Sequence, residues 1–505
     1  MALNPVERRM ALLCDHWIAF RDQPQARLLL WQVPDNALRL VACFAEVQKL
    51  DLPYASGDLF IVFKLPYLHG LQFARGIKQA LRGQFDASLD ELRSQGLDTD
   101  WSFDPACTPD TPAGVAQALR SFGAKYHKSL RYLVMVLMPT SLADVPAYAA
   151  WLQGLLDAGL PERLRVLLID PLENPVLGAL AAGGDARVVV QRPAIDGLAT
   201  AQDTFAQEGG SSPAALYRNL MMGAVALAEK GSADQVVRKA ADALAFARQQ
   251  KWPDQEVALR ILVAGALLKQ GRHGEALTVY AAARAAADDT VRAGHPAGQK
   301  LVLQCWFGQA GVHLAAGDLQ AAAQAYDEAA LVAQRAKDAI LAIEAFRMAG
   351  FCLARAGDST PALERLACAS EVGVGLKPEA RAMTTLPVAL VDMLRVIDPA
   401  RVARMQQAKL ALQQALQGVR QRCEARGAQL AAAAAPQALE TVEAERLKEG
   451  GKALDDARRQ LQALAAGAGE AFMRVMARGQ QLLGDDWLVD NDLALPPSPA
   501  QGAAP

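Results

Sequence analysis

The chain has 505 residues, of which 52% are hydrophobic and 6% aromatic, so it is long enough for two or three hydrophobic cores. Its 52 lysines and arginines nearly balance 54 aspartates and glutamates, and a net charge of −2 argues against the broad positive field that holds nucleic acid or anionic membranes. The chain has no apolar run of about 18 residues, and its first residues carry charges and a proline where a signal peptide is apolar. These features predict a cytoplasmic, multidomain protein without membrane insertion.

The cysteines and histidines indicate neither a disulfide framework nor a metal site. The seven cysteines are scattered without a CxxC pair, and most lie in apolar surroundings, which predicts reduced core thiols. His16, His69 and His127 each stand alone, far from a second histidine or cysteine at metal-ligand spacing. We therefore predict that the protein binds no metal and no other cofactor.

Short apolar runs recur in the first 200 residues and alternate with longer helical patterns. They are apolar at nearly every position, which is typical of parallel strands that are covered by helices on both faces. The sequence therefore predicts a three-layer α/β sandwich with a mainly parallel sheet over residues 1–200. The predicted strands are 28–33, 59–65, 132–138, 164–169 and 188–190, and the predicted helices are 38–49, 71–95, 112–128 and 142–158.

The order of strand, short loop and helix over residues 25–200 resembles the core of P-loop NTPases. More loosely, it is similar to the nucleotide domains of signal-transduction ATPases that are fused to helical repeats. Such a core needs a loop with glycines, a lysine, and a serine or threonine for phosphate and magnesium. Residues 31–38, WQVPDNAL, contain none of these, and Met138 and Pro139 stand where a magnesium-binding carboxylate would follow the third strand. We therefore expect a degenerate NTPase-like domain without ATP hydrolysis.

Asp170 is the one polar residue that ends a predicted strand at the edge where α/β sheets bind ligands. A ligand or metal contact is one interpretation. The neighbouring Pro171 and Pro175 favour the other, in which the side chain binds its own backbone in a turn. The domain also lacks a G-x-S-x-G nucleophile motif, and we expect no enzymatic activity.

A glycine- and serine-rich stretch, QEGGSSP at 207–213, predicts a linker over residues 201–213. The composition then shifts to alanine, and a repeated pattern begins. Glycines that mark turns between helices recur at intervals of 40, 46 and 40 residues. These markers are Gly231, Gly271, Gly317 and Gly357.

Each marker glycine has mostly small or aromatic residues at fixed offsets, seven before it and five, nine and twelve after it. Repeats two and three match best, whereas the first lacks both the small residue five after its glycine and the aromatic residue nine after it. This pattern over residues 213–376 is similar to the tetratricopeptide repeat (TPR), in which small residues let paired helices pack closely. The spacing exceeds the 34 residues of that family, so we expect longer helices or loops within a repeat region at 214–380. The positions are Ala224, Ala264, Ala310 and Gly350; Val236, Ala276, Ala322 and Ala362; Ala240, Tyr280, Tyr326 and Leu366; and Ala243, Ala283, Ala329 and Ala369.

The resemblance implies a helical solenoid whose concave surface binds a protein or peptide, with the first helix of each repeat facing inward. The alternative is that polar residues on these helices are ordinary solvated positions. The candidate protein-binding residues are Arg218, Asn219, Met222, Arg260, Gln304, Gln309, Glu344 and Arg347.

The last 130 residues predict a helical hairpin over 381–484 and a tail over 485–505. A heptad seam predicts a coiled-coil helix, and a second apolar series predicts a returning helix. An intramolecular hairpin is favoured over a coiled-coil dimer because closure within one chain costs less entropy, although the oligomeric state stays open. The acidic, Pro- and Ala-rich tail is either a docking segment or a terminal cap. The seams are Val402, Met405, Leu412, Leu416, Val419 and Cys423, and then Leu447, Leu454, Leu461 and Ala468.

These features together predict a non-enzymatic scaffold, adaptor or chaperone that binds a protein partner on TPR-like repeats. The Ala-, Leu- and Arg-rich composition is typical of bacteria with GC-rich genomes, and it suggests service in a secretion or assembly system. The alternative is a regulator or effector of the signal-transduction ATPase type, whose N-terminal domain binds a nucleotide or another ligand.

Overall fold

The computed structural model describes residues 3–50, 52–207, 212–433, 437–491 and 493. The chain divides into two compact units. Met1–Glu208 and Leu416–Gly451 form the first, here called the α/β unit, and Gly209–Ala415 and Lys452–Pro505 form the second, the repeat unit. Among the described helices, none has both the length and the apolar composition needed to cross a bilayer.

The N-terminal elements alternate between strands and helices, with short 3-10 turns at Asp35–Ala37 and Pro105–Cys107. In chain order they are α1 (Pro5–Arg21), β1 (Leu28–Val33), α2 (Leu38–Ala42), α3 (Phe44–Val47), β2 (Leu59–Phe63), α4 (Gly70–Ala87), α5 (Leu89–Ser94), α6 (Pro112–Lys125), β3 (Leu133–Leu137), α7 (Val145–Asp157), β4 (Leu164–Pro171), α8 (Gly178–Ala182), β5 (Val188–Gln191) and α9 (Gly197–Gln207).

The rest of the described chain is helical. Its elements are α10 (Pro213–Lys230), α11 (Ala233–Gln249), α12 (Pro253–Lys269), α13 (His273–Arg292), α14 (Gly298–Ala315), α15 (Leu319–Arg335), α16 (Ala339–Ala356), α17 (Ser359–Val374), α18 (Pro378–Arg381), α19 (Leu386–Ile397), α20 (Pro399–Ala432), α21 (Ala438–Ala466), α22 (Glu470–Leu483) and α23 (Trp487–Asp490).

The described strands form one parallel sheet in the order β2-β3-β4-β1-β5. All six residues of β1 are buried, because α1, α2 and α3 cover one face of the sheet while α4, α6 and α7 cover the other. Trp17 and Phe44 fill the first layer, and Phe73 and Trp151 fill the second. The predicted three-layer α/β fold is confirmed, with strand ends within two residues of those predicted.

The first part of the predicted linker is helical. Residues 201–207 complete α9, and Asp203 on that helix forms an ion pair of 3.0 Å with Arg9 on α1. A helix that packs on α1 within the α/β unit is not a free connector. Of the rest of the predicted linker, residues 208–211 lie outside the described residues.

Helices α10 to α17 form four successive pairs that stack in the repeat unit. All sixteen repeat positions are buried, which confirms the register of the repeat pattern. Gly271, Gly317 and Gly357 have φ angles of 71°, 81° and 94°, a left-handed conformation that favours glycine. The interval of 46 residues arises from α13, which has 20 residues, and from a longer connection before α14.

The predicted C-terminal hairpin is helical, but it is divided between the two units. Val402 and Met405 on α20 share a core with Leu461 on α21 in the repeat unit. Residues 416–451, here called the hairpin tip, belong to the α/β unit, where Val419 on α20 and Val442 on α21 lie in another core. The hairpin is therefore not a separate domain.

One predicted seam residue lies on the wrong side of its helix. Leu447 is 67% exposed, whereas Val442, which the heptad series omitted, is fully buried. The buried face of α21 at the tip thus differs from the face that the heptads predicted.

The first residues of the acidic tail cap the repeat unit. Asp486 forms a bidentate ion pair with Arg458. Trp487 is buried against Gly479, where a β-carbon would lie 2.3 Å from the indole. These contacts favour a terminal cap for residues 485–491, and residues 494–505 lie outside the described residues.

The core-thiol interpretation holds for four of the seven cysteines. Cys14, Cys305, Cys352 and Cys423 are buried, and burial raises the pKa of Cys305 and of Cys352 to about 12. For the others the interpretation is wrong, because their side chains are exposed. These are Cys43, Cys107 and Cys368.

Candidate functional site

The sheet has a topological switch point beside β1. Helices α2 and α3 leave β1 on one face of the sheet, whereas α7 and α8 leave β3 and β4 on the opposite face. Since β1 lies next to β4, the two connections diverge at the carboxyl ends of these strands. Open α/β sheets bind ligands in the crevice that such a divergence creates.

This edge of the sheet is poor in backbone hydrogen-bond donors. Each described strand has a proline as its last residue or within three residues after it. A proline has no N–H group, and phosphate sites depend on clustered backbone N–H groups. Each of these prolines removes one backbone N–H group from this edge. The prolines are Pro34, Pro66, Pro139, Pro171 and Pro193.

The loop after β1 is closed by groups of the protein itself. The Asp35 N–H, in the loop that follows β1, donates to the Glu173 carboxylate at 2.9 Å. The Gly197 N–H donates to the Asn36 side chain at 3.0 Å, and a β-carbon on Gly197 would lie 2.0 Å from the Asn36 carbonyl oxygen. A carboxylate of the chain itself thus occupies the Asp35 backbone N–H. Sequence reasoning missed this contact because the two partners lie 138 residues apart.

Asp170 binds its own loop. Its side chain is buried, and its two oxygens accept the N–H groups of Val176 at 2.9 Å and Leu177 at 3.1 Å. The turn-forming interpretation is therefore confirmed. Each Asp170 oxygen accepts one backbone N–H, which fixes the carboxylate against its own loop.

His69 has a structural position in the α/β unit. It caps α4, and its Nε2 lies 2.6 Å from the Glu443 carboxylate of the hairpin tip. Beside it, Glu424 of the tip accepts the Gly70 N–H at 3.0 Å and the Tyr67 hydroxyl at 3.1 Å, while burial raises the pKa of Glu424. Among the described residues, no group of three or more potential ligands is placed to hold a metal ion.

The candidate protein-binding residues lie on the first helices of the four pairs. Helix α12 packs against both α10 and α14, so the first helices of successive pairs are neighbours. Arg218 and Asn219 on α10 and Gln304 on α14 are exposed. Arg260 is half-buried and forms an ion pair of 2.7 Å with Glu256, and Met222 is also half-buried. The candidates are spread along the array rather than gathered in one cluster.

Two of the candidates, Gln309 and Arg347, are buried, which corrects their placement on a partner-facing surface. Gln309 accepts a hydrogen bond of 3.1 Å from Arg284, whose guanidinium lies 4.0 Å from the centre of the Trp306 ring. Their side chains face neighbouring helices rather than solvent. Helical periodicity finds the first helices but does not show which of their faces is covered by the next helix.

Arg347 belongs to a buried ionic contact between α16 and α19. It donates two hydrogen bonds to Glu344, at 2.7 and 2.9 Å, and lies 3.7 Å from Asp392. Burial raises the pKa of Asp392 even though Arg395 also pairs with it. Glu344 is half-buried and occupied by this pairing. Both α16 candidates therefore take part in contacts within the array.

Comparison with known proteins leaves the chain without an assigned family. No protein-family model and no curated protein matches it. Among solved structures, it is similar to the crystal structure of a signal transduction ATPase with numerous domains that has a tetratricopeptide repeat sensor, from Pyrococcus horikoshii. The identity is 10%, the match covers 96% of this chain and 92% of the other, and the TM-score is 0.23. A likeness of this size carries no argument about function.

Proposed function

We propose that the protein is a non-enzymatic scaffold or adaptor that binds a protein or peptide on the first helices of its repeat unit. The observation that carries the proposal is the stack of four helix pairs whose sixteen repeated positions are all buried. Such an array presents an extended surface made of successive first helices, which is the surface that helical-repeat proteins use for binding. A chaperone role in a bacterial secretion or assembly system is a narrower form of the same proposal.

The exposed polar side chains of the first helices are the proposed contact points. Arg218, Asn219 and Gln304 are exposed on α10 and α14, and Arg260 is partly accessible beside Glu256. A partner that lies along these helices would meet one or two such groups in each of the first three repeats. Gln309, Glu344 and Arg347 would act indirectly, by fixing the helices that carry the contacts.

The proposal is tested by placing a photo-crosslinking amino acid in the full-length chain inside its native host. At Gln304, on a first helix, we expect a covalent adduct with one discrete protein partner. At Gln324, exposed on the second helix α15, we expect none. A partner that crosslinks equally at both positions, or only at Gln324, would contradict a binding surface on the first helices.

The same positions allow a quantitative test once a partner is in hand. Gln304→Arg should weaken binding by about 1 to 3 kcal/mol, because a long, positively charged side chain is forced into the contact. Gln324→Arg introduces the same side chain outside the proposed surface and should leave the affinity unchanged. Charge reversal of Arg347 is unsuitable for this purpose, since it would place two acidic groups together near the buried Asp392.

We also propose that the α/β unit does not hydrolyse nucleotides. Purified full-length protein should show no turnover of Mg-ATP or Mg-GTP above the blank. Residues 31–38 lack glycine, lysine, serine and threonine, and Glu173 already binds the Asp35 N–H. Glu173→Ala frees that N–H and is still expected to be inactive, because Pro34 and the missing lysine remain. Turnover that a substitution in this unit abolishes would overturn the proposal.

A further inference from the structure

A cavity of about 500 Å³ lies at the carboxyl edge of the sheet within the α/β unit. It is bounded by the ends of β3 and β4, the start of α7 and the helix α2 that follows β1. Its volume lies in the range of about 300 to 1,000 Å³ that is usual for small-molecule sites. We call it the edge cavity.

The wall of the edge cavity is mostly apolar. Leu137, Leu142, Leu168 and Leu177 contribute to it, together with the ring of Tyr148. A ligand that replaces water against such a wall gains free energy only from an apolar body. A heavily hydrated molecule, such as a nucleoside triphosphate, would lose its hydration there without compensation.

The charged groups around the edge cavity are unbalanced. Arg39 and Lys64 both line it and both are exposed, and neither has an ion-pair or hydrogen-bond partner among the described residues. The single acidic side chain in the lining is Asp170, whose two oxygens are occupied by backbone N–H groups. Two unpaired cations beside an apolar wall complement an anion with an apolar body.

We propose that the edge cavity binds a small organic carboxylate with an apolar body, whose acid group is held by Arg39 and Lys64. A carboxylate fits better than a phosphate ester because each proline at this edge removes one of the backbone N–H groups that clustered N–H sites for phosphate use. The cationic groups of the edge cavity are the side chains of Arg39 and Lys64, and these two groups are enough to bind one carboxylate. This site is independent of the partner surface proposed for the repeat unit.

The test uses octanoate and 1-octanol as probes with the full-length protein in calorimetric titrations. Both are straight eight-carbon chains with one polar end, but only octanoate is charged. We expect octanoate to bind at least about tenfold more tightly than 1-octanol, a difference of about 1.4 kcal/mol, because hydrogen bonds to a charged group are the stronger ones. Equal binding of the two probes, or no binding of octanoate at millimolar concentration, would overturn the proposal.

Variants locate the binding within the edge cavity. The double variant Arg39→Gln and Lys64→Gln should abolish the preference for octanoate, whereas Lys128→Gln, an exposed cation of the same unit, should leave it intact. Ala42→Phe adds a ring to the cavity wall and should block both probes. Undiminished octanoate binding by Ala42→Phe would place the ligand elsewhere and contradict the proposal. Inorganic phosphate or Mg-ATP that binds more tightly than octanoate, with loss in the double variant, would assign the cations to a phosphate ligand instead.

Discussion

The Ala322→Arg variant is expected to lose about 3 kcal/mol or more of the free energy of unfolding of the repeat unit. Ala322 is fully buried on α15, in a core that includes Ala310 on α14 and Ala349 on α16. Helix α15 packs against both of those helices, so no free volume remains for a long side chain. The arginine must either push the helices apart or leave a charge buried without a partner. Denaturant unfolding followed by circular dichroism measures the loss.

The matched control is Gln324→Arg, two residues further along the same helix. Gln324 is exposed, so the same side chain enters solvent there and should change the stability by no more than about 0.5 kcal/mol. Similar unfolding midpoints for the two variants would show that α15 does not pack through Ala322. A large loss in Ala322→Arg alone shows that the position is close-packed.

The strands and repeats could be predicted because their signals are short-range and redundant. A strand such as β1 is apolar at nearly every position, and that pattern follows directly from burial on both faces. In the repeat unit the same spacing of repeat positions occurs four times. The first repeat matches the TPR pattern weakly, but the other three are enough to show the register. Each signal lies within one element or one helix pair.

The features that sequence reasoning missed depend on residues that are distant in the chain. The contact between Asp35 and Glu173 closes the loop after β1, yet neither residue stands out in the sequence. The edge cavity likewise combines Arg39 and Lys64 with strand ends more than 70 residues away. Sequence patterns report burial within an element, whereas a site is made where several elements meet.

The hairpin shows where extrapolation of a periodic pattern fails. The heptad series on α21 assumes one partner along the whole helix, but the helix contributes to the cores of two different units. At the tip its buried face is set by α20 and by Leu71 of α4, so Val442 is buried and Leu447 is not. A change of partner along a helix rotates the buried stripe, and a fixed seven-residue repeat cannot follow that rotation.

The second variant with a large expected effect on stability is therefore Val442→Asp, in the hairpin tip. A carboxyl group at this fully buried position, in a core with Val419, Cys423 and Leu71, must be protonated or must leave the core. An aspartate has an unfolded pKa of about 3.9, so holding it neutral at about pH 7 costs roughly 4 kcal/mol. We expect the tip to detach from the rest of the α/β unit rather than accept that cost.

Detachment of the tip has a defined readout and a defined pH dependence. Limited trypsin digestion should cleave at Arg420 and Arg422 much faster in Val442→Asp than in the parent protein. Leu447→Asp places the same charge on the same helix at an exposed position and should be cleaved at the parental rate.

Because burial would raise the pKa of the new carboxyl in the docked state, that state binds the proton more tightly than the detached state does. The free energy of docking that the tip loses in Val442→Asp should therefore become smaller by about 1.4 kcal/mol for each pH unit as the pH falls from about 7 towards 5. Equal cleavage of the two variants, or a loss that grows on acidification, would contradict the burial of Val442 at the tip.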